Sequence, residues 1–105
     1  MALIMITMWY PLTKRAEVTK KYAEVMKKNP KASFEKPLVN ALKHEKEGMV
    51  AIGIAEVEKG KLEEELNLAH TRMLEFDSIE GFNYKIEALM TFQEDFALRG
   101  VVPLK

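Results

Sequence analysis

The sequence predicts an α+β fold in which a four-stranded antiparallel sheet carries two helices on one face, and three patterns in its 105 residues predict it. Strand-forming runs occupy Leu3–Tyr10, Leu38 to about Glu45, Met49–Glu58 and Phe82–Met90. Leu62, Leu66, Ala69, Met73 and Phe76 recur at the spacing of one helix face. Pro11, Asn29-Pro30, Glu47-Gly48, Lys59-Gly60 and Gly81 punctuate the chain between elements. The resulting order is βαββαβ. The length is that of one domain, residues 1–105.

In the first strand Leu3, Met5, Thr7 and Trp9 alternate with Ile4, Ile6, Met8 and Tyr10, so both faces are largely apolar and both need cover. Thr13 is placed to cap a helix in which Val18, Tyr22, Val25 and Met26 share a face. Asn29-Pro30 stops that helix, because proline disfavours helical geometry in the residue before it. Glu47-Gly48 then turns the second strand into the third as a hairpin. On the third strand the bulky row Val50, Ile52 and Ile54 is expected under the helices. The slim row Met49, Ala51, Gly53, Ala55 and Val57 is expected on the opposite face. Glu63, Glu64 and Glu65 occupy the first turn of the second helix, where its dipole favours anions. On the fourth strand Tyr84, Ile86, Ala88 and Met90 share one face and Lys85, Glu87 and Leu89 the other. Thr91 to Glu94 matches a capping box, Gly100 suits a helix end, and Val101–Leu104 reads as an extended tail.

Composition excludes several chemistries. With no cysteine and two histidines, the chain has no disulfide, thiolate metal site or Cys nucleophile, and it fits a reducing, cytoplasmic setting. Ala2–Tyr10 has no basic segment before it and no small-x-small site after it, and is about half a bilayer span, so it reads as a strand and no membrane partner is expected. The zero net charge hides a basic half and an acidic half: residues 1–46 carry ten Lys or Arg against four Glu, the remainder six against twelve acids. A basic helix beside an acidic one accounts for this, and without interleaved aromatics no nucleic-acid partner is expected. There is no Gly-rich phosphate loop and no metal-ligand spacing, so neither cofactor nor metal is expected. The seven methionines read as packing.

Two helices on one face leave the other face of the sheet apolar and bare, which points to a homodimer or higher homo-oligomer. Lys85 and Glu87 project onto that face, where charges need a reason. They line a polar pocket, with Glu87 as base and Lys85 as anion holder, or they form an edge pair that discourages aggregation. His44, near the hairpin turn, is an acid–base candidate among Lys43, Glu45, Lys46 and Glu47, whose company also suits a solvated tip. His70 reads as a flanking residue of the second helix. Trp9 and Tyr10 end the first strand pointing to opposite faces, one free to stack on a flat ligand while the other packs under a helix. Thr7 and Asn40 are candidate hydrogen-bonding groups in the same cavity.

This pattern resembles the dimeric α+β barrel superfamily, a ferredoxin-like fold that includes antibiotic-biosynthesis monooxygenases, muconolactone isomerases and stress-responsive barrel proteins. The resemblance covers nearly the whole chain and rests on length, element order and the two-sided first strand. It implies two sheets packed face to face and a pocket in each protomer. Two functions follow: a dimeric barrel binding a small apolar or aromatic molecule, with cofactor-independent acid–base chemistry through Glu87, His44 and Lys85, or a non-catalytic homo-oligomeric interaction module. A nucleic-acid binder using the basic helix ranks third.

Overall fold

The computed structural model describes residues 2–100. Its elements are β1 (Ala2–Tyr10), a 3-10 turn (Leu12–Lys14), α1 (Arg15–Lys28), β2 (Glu35–Glu45), β3 (Gly48–Val57), α2 (Leu62–Leu74), β4 (Asn83–Leu89) and α3 (Phe92–Arg99). The sheet order is β2-β3-β1-β4 with every neighbouring pair antiparallel. The fold class is therefore the α+β, ferredoxin-like arrangement expected from the sequence. At 17 Å its thinnest dimension holds two layers, one of sheet and one of helix.

The helix layer covers the row Ile4, Ile6, Met8 and Tyr10 of β1. Ile6, Met8 and Tyr10 pack with Val18 and Val25 of α1, with Met73 of α2, and with Phe76 and Ile79 beyond its end. Phe76 and Phe82 stack at 4.7 Å between ring centroids, and Tyr10 stacks on Phe82 at 6.2 Å. Thr91 and Glu94 form the capping box at the start of α3, and Gly100 ends it in the left-handed conformation. The expected Val101–Leu104 tail lies outside the described residues.

Register corrects the face assignment on β3. Tyr10 pairs with Met49, Met8 with Ala51, Ile6 with Gly53 and Ile4 with Ala55. Directly paired residues share a face, so the slim row lies under the helices, and Val50, Ile52 and Ile54 lie opposite beside Leu3, Met5, Thr7 and Trp9. Tyr84 and Ile86 are on the helix side as expected, whereas Met90 falls past the end of β4 and is exposed. Two boundaries also differ. Thr13 caps nothing, because Pro11 leads into a 3-10 turn and α1 starts at Arg15. β2 starts at Glu35, three residues early, and absorbs Pro37 through a bulge between Pro37 and Val39 on the sheet edge. Gly48 follows the hairpin turn with a positive φ of 142°, and a side chain there would collide with the Tyr10 carbonyl.

Candidate functional site

The slim row has a direct consequence. Ala51, Gly53 and Ala55 are too short to fill the space between sheet and helix, and a cavity of about 430 Å3 remains above them. Val18, Tyr22, Val25 and Met26 of α1 roof it, Asn40 and Pro37 of β2 form one wall, and Glu65, Arg72 and Met73 of α2 close one end. Protein interiors hold few voids larger than a water molecule, and ligand pockets run from about 300 to 1,000 Å3, so the volume falls in the range of small-molecule pockets.

The closed end is built from charged groups. On α2 the buried stripe is Glu65, Ala69, Arg72 and Met73, so two ionisable residues lie on the face that packs inward. Glu35, opposite Val57 at the start of β2, points into the same layer. Arg72 grips it with two nitrogens, Nη1 to Oε2 at 2.8 Å and Nη2 to Oε1 at 2.9 Å. Two further Arg72 donors serve the end of α1: Nε donates to the Asn29 carbonyl at 3.2 Å and Nη2 to the Pro30 carbonyl at 2.9 Å. The Ala32 N–H donates to Glu35 Oε1 at 2.8 Å. Both side chains of the pair are over nine-tenths buried, at 8% and 7% exposed. Arg72 thus binds the α1–β2 connection to α2 with four of its five N–H groups.

Glu65 is different in kind. It is 1% exposed, and no donor among the described residues reaches its Oε2. Burial, then the hydrogen bond and the charge of neighbouring Glu35, push its carboxyl up to about 8, against only partial relief from Arg72. Glu35 is held below the usual carboxylate range; its own burial opposes this, and the hydrogen bonds from Arg72, Glu65 and Ala32 outweigh it. Two adjacent buried carboxyls share one proton, and here Glu65 holds it and donates to Glu35.

The residues expected from the sequence are dispersed. Asn40 and Tyr10 line the cavity. Thr7 is buried at the centre of the opposite face, paired with Lys85 and Ile52. Lys85 and Glu87 lie on that face too, 3.6 Å apart, with Lys85 largely exposed. Trp9 is half-exposed there, beside a shallow depression with Pro11, Glu45 and Asn83. His44 is exposed on β2, the far edge strand from β4, so the structure does not bring it together with Lys85 and Glu87. His70 meets the Tyr84 hydroxyl at 3.3 Å. Glu35, Glu65 and Arg72 carry the site and sequence reasoning missed them, although Glu65 and Arg72 stand at i−4 and i+3 from Ala69, on the apolar stripe itself.

Solved structures share this architecture. A presumed antibiotic biosynthesis monooxygenase from Deinococcus radiodurans matches with a TM-score of 0.60 at 10% identity, covering 87% of this chain and 92% of its own. The de novo designed protein Foldit4 matches at 0.58 and 11%, covering 86% of this chain and 97% of its own. The design Ferredog-Diesel matches at 0.54 and 14%, covering 81% and 83%. These likenesses show the ferredoxin-like α+β fold. No family model and no curated protein matches the chain. A fold common to natural and designed sequences does not carry function across, so the cavity itself is the guide.

Proposed function

We propose that the protein binds a small apolar or aromatic molecule in the cavity between sheet and helices. The observation that carries this reading is the cavity of about 430 Å3, lined by aliphatic and aromatic side chains and closed by one carboxyl cluster. An apolar body with a few convergent polar groups is the usual make-up of a small-molecule site. Cofactor-independent acid–base chemistry falls in this reading to the Glu35–Glu65 pair, which holds one exchangeable proton beside the ligand. The test is methyl NMR with a set of naphthalene-sized compounds. Shifts confined to Val18, Val25, Met26 and Met73 support the reading, and a set that moves none of these methyls overturns it.

Self-association belongs to the same proposal. Leu3, Met5, Trp9, Val39, Ile52 and Ile54 share the face opposite the helices, and none of them is fully buried. An apolar surface of this extent usually marks an interface, and a second copy is its simplest partner. The cysteine-free chain is in keeping with a cytoplasmic home, and no helix among the described residues is long and apolar enough to cross a membrane. The non-catalytic interaction module draws its support from α3, whose Phe92 and Leu98 are 81% and 77% exposed. Light scattering should give about twice the 12.1 kDa chain mass, and Ile52→Glu should return it to a monomer. A wild-type monomer at micromolar concentration would remove the assembly part.

A further inference from the structure

Three observations at the closed end of the cavity bear on what it binds. Glu65 lines the cavity, is 1% exposed, and presents a buried Oε2 that no described donor reaches. Four of the five Arg72 N–H groups are already committed to Glu35 or to the Asn29 and Pro30 carbonyls. The Lys31 ammonium, at the rim, donates to the Glu35 carbonyl at 3.0 Å and the Ala32 carbonyl at 3.4 Å. The Glu35 and Arg72 charges cancel at the buried end, and the Lys31 ammonium, exposed and bonded to backbone carbonyls, stays at the rim. What the closed end offers is one buried acceptor without a partner among the described residues, where an unmet hydrogen bond is costly and a ligand donor relieves that cost.

We propose that Glu65 is the hydrogen-bonding anchor of the cavity, and that the ligand it selects is an uncharged molecule with an apolar ring or chain and one hydroxyl or N–H group. This rests on the small-molecule reading above and sharpens it to a ligand class. The raised carboxyl of Glu65 is consistent with it: the protonated group gives its hydrogen to Glu35 and keeps an oxygen to accept from the ligand. Selection works in both directions. A carboxylate reaching Glu65 would meet the carboxyl pair with Arg72 already bound to Glu35 and with Lys31 only at the rim, and an ammonium would have to displace the shared proton.

The experiment titrates the full chain at pH 7 with four probes of one shape, naphthalene, 2-naphthol, 2-naphthoate and 2-naphthylmethylammonium, read by the methyl shifts of Val25 and Met73. In the wild type 2-naphthol should bind about tenfold tighter than naphthalene, with the two charged probes weakest. Glu65→Leu should keep naphthalene binding and bring 2-naphthol within about threefold of it, while Glu65→Gln, which can donate to Glu35 and accept from a ligand, should keep the naphthol preference. If naphthalene binds but wild-type 2-naphthol gains nothing, or Glu65→Leu keeps the preference, the anchor is wrong and the cavity reading stands. If either charged probe binds best, the uncharged class is wrong. If no probe shifts these methyls, the small-molecule reading falls and the anchor with it.

Discussion

The two faces of the sheet carry the same kinds of residue to opposite ends. On the face away from the helices, Lys85 and Glu87 lie 3.6 Å apart with their side chains 62% and 34% exposed. On the helix face, Arg72 and Glu35 meet through two hydrogen bonds of 2.8 and 2.9 Å at under a tenth exposure. Water screens the first pair and has little access to the second. Burial, not residue type, therefore decides which charges hold the fold and which merely decorate it. It also decides where chemistry is available, since Glu65 holds a proton near neutrality only because the helix layer seals it against Glu35.

Arg72→Met should break this contrast most severely. It leaves Glu35 buried beside Glu65 with no counter-charge and frees the Asn29 and Pro30 carbonyls, so the expected loss is about 3–5 kcal/mol of stability. Urea denaturation checks it. A loss under about 1 kcal/mol would mean that the buried pair behaves like a surface one.

Glu65→Gln should sharpen the contrast through pH. The Glu65 carboxyl is raised to about 8 in the folded state and lies near 4.3 in the unfolded chain. Between those values the folded state binds more protons, so wild-type stability falls as pH rises from about 4.5 to about 8 and levels off above. Glu35 is lowered, so it adds stability above the ordinary carboxylate range that is lost as pH falls through its folded value. Thermal denaturation of the wild type should peak near pH 5. Glu65→Gln should match it there and exceed it by several degrees at pH 8. A variant that keeps the wild-type slope between pH 5 and 8 would place the proton elsewhere.

Gly53→Leu acts on the cavity that the slim row creates. A Cβ at Gly53 meets Asn40 Oδ1 at 3.4 Å and the Val39 carbonyl oxygen at 4.0 Å, so the backbone tolerates a side chain and the added atoms enter the cavity. Naphthalene binding should fall by tenfold or more while dimer mass stays unchanged. Loss of the dimer with intact binding would reverse the face assignment.

Element order was legible because the turns punctuate it and because two-sided β1 demanded cover. The capping box at Thr91 and the glycine end at Gly100 were legible because both depend on local chemistry. The faces of β3 were not. Alternation separates Val50, Ile52 and Ile54 from Ala51, Gly53 and Ala55, but only pairing with β1 says which row meets the helices. The site was half hidden for a related reason. Starting β2 at Leu38 left Glu35 in a connection. Reading Glu65 as a dipole partner in an acidic first turn concealed that its position, seven residues before Arg72, is on the buried stripe.

The smallest effect belongs to Lys85→Ala. An exposed ion pair contributes about 0–1 kcal/mol, because solvent already satisfies both groups and holding two long side chains together costs entropy. Denaturation midpoints should move little, and naphthalene binding should not move at all, since Lys85 lies on the far side of the sheet from the cavity. The variant has one further readout. If the second face packs against another copy, removing a charge from it should leave the dimer intact or tighten it in light-scattering dilution series. Dissociation on losing Lys85 would instead give this pair a cross-copy partner, and would make it as structural as Arg72 and Glu35 are on the other face.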